Sequence, residues 1–549
     1  MTDLFSRHSA LLERAVTALH ERSYWTPYPE VPSSKNYGET AKADGEAAFA
    51  ALQGQLFQLA GHPESSRRGA EVSPFGPELG ITYPACEPAT LIAAAKNAAP
   101  ALAAAGIESR VGVCLEILHR LNRMSFLIGH ATQHTTGQAF AMAFQAGGPH
   151  AQDRGLEAVA MAWEEMIRFP TEARWEKPQG KAAPIILEKH WTLVPAGVAL
   201  TIGCNTFPTW NSYPGLFASL ATGNPVIVKP HPAAILPMAL TVRVAREVLA
   251  EEGLPMDAVL LAVDAPGAEI TTELATDPAV KLIDYTGSNQ FGGWLRENAR
   301  QAQLFTEEAG VNSVVIAATD DFDGMCANLA FSLSLYSGQM CTAPQNIYIS
   351  VDGIDTDKGH LSFDSVADGI GKAIDALLDD PARTAGVCGA VANPATLARR
   401  DSIRARGRVI RNSGALAEGR TATPLLMAVD AGDALAESEC FGPVAFLVAT
   451  KDADDGIGRA ADLAARKGAI TAALYDTDED RIGRAIAAFT AAGVNLSINL
   501  TGNIFVNQSA AFSDFHVTGA NPAGNASLTD TAFVATRFRR VMWRRTVTS

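Results

Sequence analysis

The stretch 197–229, GVALTIGCNTFPTWNSYPGLFASLATGNPVIVK, decides the fold class. Two short apolar runs, 197–203 and 225–229, flank a helix-like segment from Tyr213 to Ala221. Runs this short, uniformly apolar and closed by Gly or Pro read as strands buried on both faces, and strand–helix–strand is the unit of a parallel sheet. The pattern continues downstream. A helical segment from Pro237 to Glu252 precedes a third apolar run, 258–263, and a fourth follows at 280–286. In such sheets ligands sit at the carboxyl ends of the strands, so the residues just after each strand are the ones to search.

Outward from this core the texture changes. Upstream, 87–146 is rich in helix formers, 151–169 is an amphipathic helix stopped by Pro170, and 185–194 reads as strand or hairpin. Before that, 26–38 is broken by prolines, and an amphipathic helix starts near Asp3 with Leu4, Leu11, Leu12, Ala15 and Leu19 on its apolar side. Downstream, a second alternating region carries expected strands at 313–317, 345–350, 446–450 and 469–475. The chain ends in polar loops and a basic strand-like segment, 533–547. The expectation is an α/β protein of two α/β domains plus a small β element built from residues near 178–195 and the C-terminus. The expected boundaries are 1–85 (a mostly helical extension), 86–308, 309–500 and 501–549.

Composition narrows the class of function. The 549 residues are 47% hydrophobic and 19% charged, which is ordinary for a globular chain. The formal charge of −15 argues against a general nucleic-acid or membrane-surface binder. The N-terminus lacks the apolar core of a secretion signal, and no run of apolar residues is long enough for a membrane span. Seven cysteines without a C-x-x-C pair disfavour a zinc knuckle or a disulfide scaffold. No metal site is expected, and a reducing, cytoplasmic setting fits best.

Cys341 stands apart from the other cysteines. It lies in Gly338-Gln339-Met340-Cys341-Thr342-Ala343-Pro344, between a helix-like run and a strand, where backbone N–H groups favour a thiolate and stabilise an oxyanion. Glu307-Glu308-Ala309-Gly310 puts carboxylates at the junction of the two domains, a setting for a general base. Lys229 closes one strand and suits a phosphate or ribose hydroxyl. Gly287-Ser288 closes another and opens a helix whose N-terminal N–H groups suit a pyrophosphate. No G-x-G-x-x-G fingerprint is present, which counts against an ordinary dinucleotide site.

Singly these signals are weak, but in order and spacing the sequence resembles the aldehyde dehydrogenase superfamily. Gly338-Gln339-x-Cys341-Thr342-Ala343 is similar to its nucleophile loop, and Glu307-x-Ala309-Gly310 to its general-base motif. Val228-Lys229-Pro230 is similar to its adenosine-ribose motif, Thr286-Gly287-Ser288 to its pyrophosphate turn, and Glu439-x-Phe441-Gly442-Pro443 to the motif that positions the nicotinamide ribose. The resemblance runs from about residue 85 to the C-terminus. It implies an aldehyde dehydrogenase-like fold, Cys341 as nucleophile, Glu307 as base, and Lys229, Gly287, Ser288, Glu439 and Phe441 around the cofactor. For the oxyanion it implies an Asn directly before Phe-Pro. Here Thr206 intervenes, and an ungapped count back from Lys229 puts Thr206 at that position; of the two, Asn205 is taken as the donor because an amide donates more strongly than a hydroxyl.

The insertion, the Val-Lys-Pro-His-Pro string and the N-terminal extension further resemble the phenylacetic acid degradation (PaaN) branch. That resemblance implies oxidation of the semialdehyde left when a CoA-linked ring is opened. NAD or NADP is the implied cofactor. NADP is favoured because Pro232 stands where NAD-specific members often carry a carboxylate. The implied reaction is hydrolytic aldehyde oxidation. The alternatives are a CoA-acylating enzyme and a non-catalytic protein of the same fold. The expected partner is a small aldehyde, possibly CoA-linked, with no nucleic acid and no membrane. The expected assembly is a homodimer or higher homo-oligomer.

Overall fold

The structure, a computed structural model, describes residues 4–416, 419–508, 510–528 and 530–547. The expected N-terminal helix runs Leu4–Glu21, and Asp3 lies outside the described residues.

The first sheet has five parallel strands in the order 259–261, 226–229, 198–202, 280–287, 303–308. Its inner strands, Val198–Ile202 and Val226–Lys229, are buried along their whole length, as an all-apolar strand between two helical layers must be. The helix joining them starts at Pro208, earlier than expected, because a proline at the first helical position loses no hydrogen bond.

The second sheet has seven strands in the order 408–411, 425–430, 444–450, 346–350, 313–316, 471–475, 495–498. All are parallel to their neighbours except the edge strand Arg408–Arg411. The four strands expected here are present.

Three findings differ from the sequence reading. A strand that the sequence reading did not assign, Gln303–Glu308, forms the edge of the first sheet, and Glu307 and Glu308 end it. The small β element has three strands, not two: Phe538–Thr546 pairs with Ala182–Pro195, which pairs with Glu172–Gln179. The last of these, EARWEKPQ, is solvent-facing on both sides and carries no alternation to read. The extension is helical only to Leu52; turns and a two-strand ladder, Ser66–Arg68 with Tyr83–Ala85, follow.

The extension is not a detached arm. Leu4, Leu12, Phe49 and Phe57 join one apolar cluster with Leu115, Leu118, Phe217 and Leu240 of the first α/β unit. Glu71 reaches across to accept hydrogen bonds from the backbone N–H groups of Ile235 and Leu236, at 2.6 and 3.0 Å. No described helix is long and apolar enough to cross a membrane.

Candidate active site

The nucleophile candidate sits on a strained turn. The helix Phe322–Ser334 breaks, and Tyr336, Ser337 and Gly338 all take left-handed backbone angles, φ 52°, 52° and 65°. Side chains there are costly unless locked. Tyr336 donates from its hydroxyl to the Thr136 carbonyl, and Ser337 donates to the carbonyls of Cys388 and Ala422. Only glycine fits at 338, since a Cβ would lie 2.5 Å from the Gly442 carbonyl oxygen.

Beyond the turn, Asn312 holds the loop. Its amide donates to the carbonyls of Cys341 (2.7 Å) and Ala343 (2.9 Å) and accepts from the N–H groups of Ile470 and Thr471. Cys341 is therefore presented on a rigid loop rather than a mobile one.

The adjacent carboxylates have opposite surroundings because side chains alternate along a strand. Glu308 faces the helix Asn289–Asn298 and pairs with Arg296. Glu307 faces Cys341. The strand is fixed by the C-terminal loop, where Asn525 accepts from the Thr306 N–H (2.7 Å) and the Glu308 N–H donates to Ala523 (2.6 Å).

Glu307 is buried and meets two groups that sequence reading missed. Asn211 donates from Nδ2 to Glu307 Oε1 at 3.0 Å, and His516 Nε2 lies 3.0 Å from the same oxygen. The Glu307, Cys341 and His516 ligand atoms all lie within 4.8 Å of one another. Burial opposes ionisation of Glu307, but His516 and Arg154 outweigh it and hold the carboxyl down at about 2. Asn211 and His516 carry no local motif. They arrive from the helix Pro208–Ala221 and from a loop over 200 residues downstream of Glu307.

The sequence expectation of a stabilised thiolate is not met. Burial first, then the Glu307 charge, pushes the Cys341 thiol well above its ordinary value. The resting sulfur is protonated, with an ionised carboxylate beside it.

Cys341 borders two cavities of about 290 Å³ each. One is lined mainly by apolar side chains, among them Met142, Phe207, Trp210, Phe331, Leu335 and Phe505. The other gathers Asn205, Gly287, Ser288, Glu307, Glu439 and Phe441 with Cys341. Asn205 keeps its Oδ1 buried without a hydrogen-bond partner, and its loop is held by Gln138, which donates to the Thr206 carbonyl at 2.8 Å. Ser288 caps the helix Asn289–Asn298, accepting from Phe291 N–H. Gln345 ties the segment ahead of Phe441 by accepting from Cys440 N–H (2.7 Å) and donating to the Ser438 carbonyl (3.0 Å).

Lys229 lies at the end of its strand but is buried, not reaching for solvent, and its ammonium is 2.8 Å from Asp264. A carboxylate thus stands beside Lys229 after all, supplied by a neighbouring strand's end. The sequence argument for NADP assumed there was none.

The comparisons with known proteins bear on this arrangement. A profile described as "Aldehyde dehydrogenase family" matches residues 63–521. The crystal structure of an NAD-dependent aldehyde dehydrogenase from Burkholderia multivorans superposes with a TM-score of 0.97 at 53% identity, covering 100% of this chain and 99% of that one. The 1-pyrroline-5-carboxylate dehydrogenase of Thermus thermophilus shares the fold at 17% identity, with a TM-score of 0.75 over 95% of this chain and 99% of that one. Among curated proteins, alpha-ketoglutaric semialdehyde dehydrogenase 2 of Azospirillum brasilense is 32% identical over 316 residues, 53% of this chain and 55% of that protein. The match covers 63% of the alpha-ketoglutarate semialdehyde dehydrogenase of Haloferax volcanii, so only part of each curated relative's length is spanned. A strained cysteine loop and a buried carboxylate meeting between two α/β sheets, together with a full-length match, carry one conclusion: the chain belongs to the aldehyde dehydrogenase family.

Proposed function

We propose that the protein is an NAD(P)-dependent dehydrogenase that oxidises an aldehyde to a carboxylic acid through a thioester on Cys341. The observation that carries this reading is the shared position of Cys341: it borders both the apolar cavity and the polar one, with Glu307 beside it. Glu307, held ionised, takes the thiol proton. The Cys341 sulfur then attacks the aldehyde carbon, and the oxyanion that forms is met by the Cys341 backbone N–H and the Asn205 amide. When bound, the nicotinamide supplies the hydride acceptor that makes oxidation to the thioester possible. Once the proton taken from the thiol has passed from Glu307 to solvent, Glu307 deprotonates a water, which attacks the thioester carbonyl and frees the Cys341 sulfur.

The polar cavity suits a dinucleotide. Its wall offers a helix N-terminus capped by Ser288, the Glu439 carboxyl for ribose hydroxyls and Phe441. In this reading 86–308 is the cofactor-binding unit and 309–500 the catalytic unit. We favour NAD over NADP because the Asp264 carboxylate beside Lys229 would oppose a 2′-phosphate. Burial lifts the Glu439 carboxyl to about 7 against the pull of Arg399. Below that pH it is neutral and a weaker acceptor. Cofactor binding is therefore expected to tighten as pH rises from 6 to 8, and Glu439→Gln to flatten the profile; fluorescence titration of cofactor reads this. The same shift opposes folding: a carboxyl raised from 4.5 to about 7 costs stability as pH climbs through that interval.

The apolar cavity takes a hydrocarbon chain with the aldehyde leading. A ring-opened, CoA-linked semialdehyde of phenylacetate degradation meets this condition if the CoA stays outside, and it is the substrate we put first. The CoA-acylating alternative needs no base to activate a water, and Glu307 stands where such a base would act.

The test is cofactor reduction at 340 nm over free and CoA-linked aldehydes, with Glu307→Gln alongside. In that variant a first-turnover burst of reduced cofactor is expected to form more slowly, because Glu307 no longer takes the thiol proton, while steady turnover falls by roughly 10²–10⁴-fold. An unchanged steady rate with water as acceptor defeats the hydrolytic reading.

The three-stranded sheet exposes Trp175, Ile185, Val541, Met542 and Trp543. An exposed apolar face on a projecting sheet marks an interface between copies. Light scattering is expected to give at least twice the 57.8 kDa chain mass. With seven free cysteines, we place this assembly in the reducing cytoplasm.

A further inference from the structure

We propose that His516 is a positioning residue that accepts the proton of the hydrolytic water from Glu307. The inference rests on the hydrolytic role proposed for Glu307 and adds a destination for the proton.

The placement of the ring is what requires an explanation. His516 Nε2 lies 3.0 Å from Glu307 Oε1, but out of line for a good hydrogen bond, and both ring nitrogens are sealed from solvent without an aligned partner. Buried polar atoms are rarely left so, and the exceptions gather where a group must exchange partners. The ring is nevertheless held in place. Trp210 packs edge-on against it with centroids 4.7 Å apart, and the Trp210 ring is covered by the Arg154 guanidinium at 3.6 Å. Asn495 donates to the His516 carbonyl at 2.5 Å.

His516 lines the apolar cavity that holds Cys341 and also a pocket of about 40 Å³ lined by His150, Asp153, Arg154, Glu157 and Asp514. That volume has room for water. The titratable and charged groups around the ring are Glu307 from its strand, Cys341 from the nucleophile loop, His150, Asp153, Arg154 and Glu157 from the helix Pro149–Ile167, and Asp514 from its own loop. Burial raises the Glu157 carboxyl to about 7, which leaves it able to take up and release a proton near neutral pH. His150 meets Glu30 at 2.9 Å toward the surface.

As the water oxygen bonds to the thioester carbon, its proton passes to Glu307, and from there to Nε2 of His516, 3.0 Å from the Glu307 oxygen. The thioester C–S bond breaks and the pair of electrons stays on the Cys341 sulfur. Nothing is oxidised or reduced in this step.

The experiment uses the full chain and an aldehyde on which the wild type gives a burst of reduced cofactor; if no aldehyde does so, the proposed function has failed, not this inference. His516→Ala is expected to keep a burst of about one equivalent, to lose steady turnover by roughly 10–10³-fold, and to be rescued by added imidazole in proportion to its neutral form. His516→Gln, which fills the space, is expected to show the same loss without rescue. The retained burst serves as the check that both variants fold. Unchanged turnover in His516→Ala, or a loss that imidazole leaves untouched, would overturn the proposal in favour of a packing role.

Discussion

Cys341→Ala is expected to lower aldehyde-dependent reduction of cofactor by roughly 10⁴-fold or more, with no first-turnover burst. The size of the effect follows from chemistry that no neighbour replaces. Cys204 also borders the polar cavity, but its thiol already donates to Asn211 Oδ1 at 3.4 Å. Glu307, His516 and the Asn205 amide are left facing a site with nothing to carry the acyl group. The fold is not expected to suffer. The loop is held by Asn312, Tyr336 and Ser337 through backbone carbonyls, so the substitution removes a sulfur and no structural hydrogen bond. An unchanged thermal midpoint beside abolished turnover is the signature of a lost nucleophile. Residual activity within tenfold of wild type would transfer the chemistry to another group.

What the sequence reveals of this molecule follows the range of each interaction. Strands whose register is set by burial on both faces, such as Val198–Ile202 and Val226–Lys229, are legible because their composition is local. The strand Gln303–Glu308 is not. It begins exposed and ends buried, and its last two side chains are carboxylates that only the fold satisfies, one with Arg296, the other with Asn211 and His516. Cys341 and Glu307 are legible through motif spacing, yet the charge state of the thiol is not. A tight loop suggests donors, while the structure adds burial and an adjacent carboxylate, which act in the opposite direction. Asp264 was equally hidden, since it reaches Lys229 from the end of a different strand.

The second large effect concerns stability. Arg537, close to the C-terminus, is fully buried and makes a two-pronged ion pair with Asp284, one contact at 2.8 Å and the other at 2.6 Å. The guanidinium also donates to the Ser219 hydroxyl at 2.7 Å and to the Phe533 carbonyl at 2.8 Å, and lies 4.0 and 4.6 Å from the ring centroids of Phe305 and Phe533. Asp284 sits inside the first sheet, and Gly215 makes room for it, since a Cβ there would lie 2.2 Å from the Asp284 carboxyl carbon. This one residue thus fastens the strand Phe538–Thr546 to the sheet that ends in Gly287 and Glu307. Arg537→Ala leaves the carboxylate buried and unpaired, a loss of about 3–5 kcal/mol by analogy with other broken buried pairs. Low soluble yield or a sharply lowered thermal midpoint is the expected readout. The pair itself need not be strongly favourable, because desolvating both ions offsets much of their attraction. Arg537→Met combined with Asp284→Leu is therefore expected to be more stable than Arg537→Met alone. If the double variant is instead the weaker of the two, an unpaired Asp284 carboxylate is not what makes the loss of Arg537 costly.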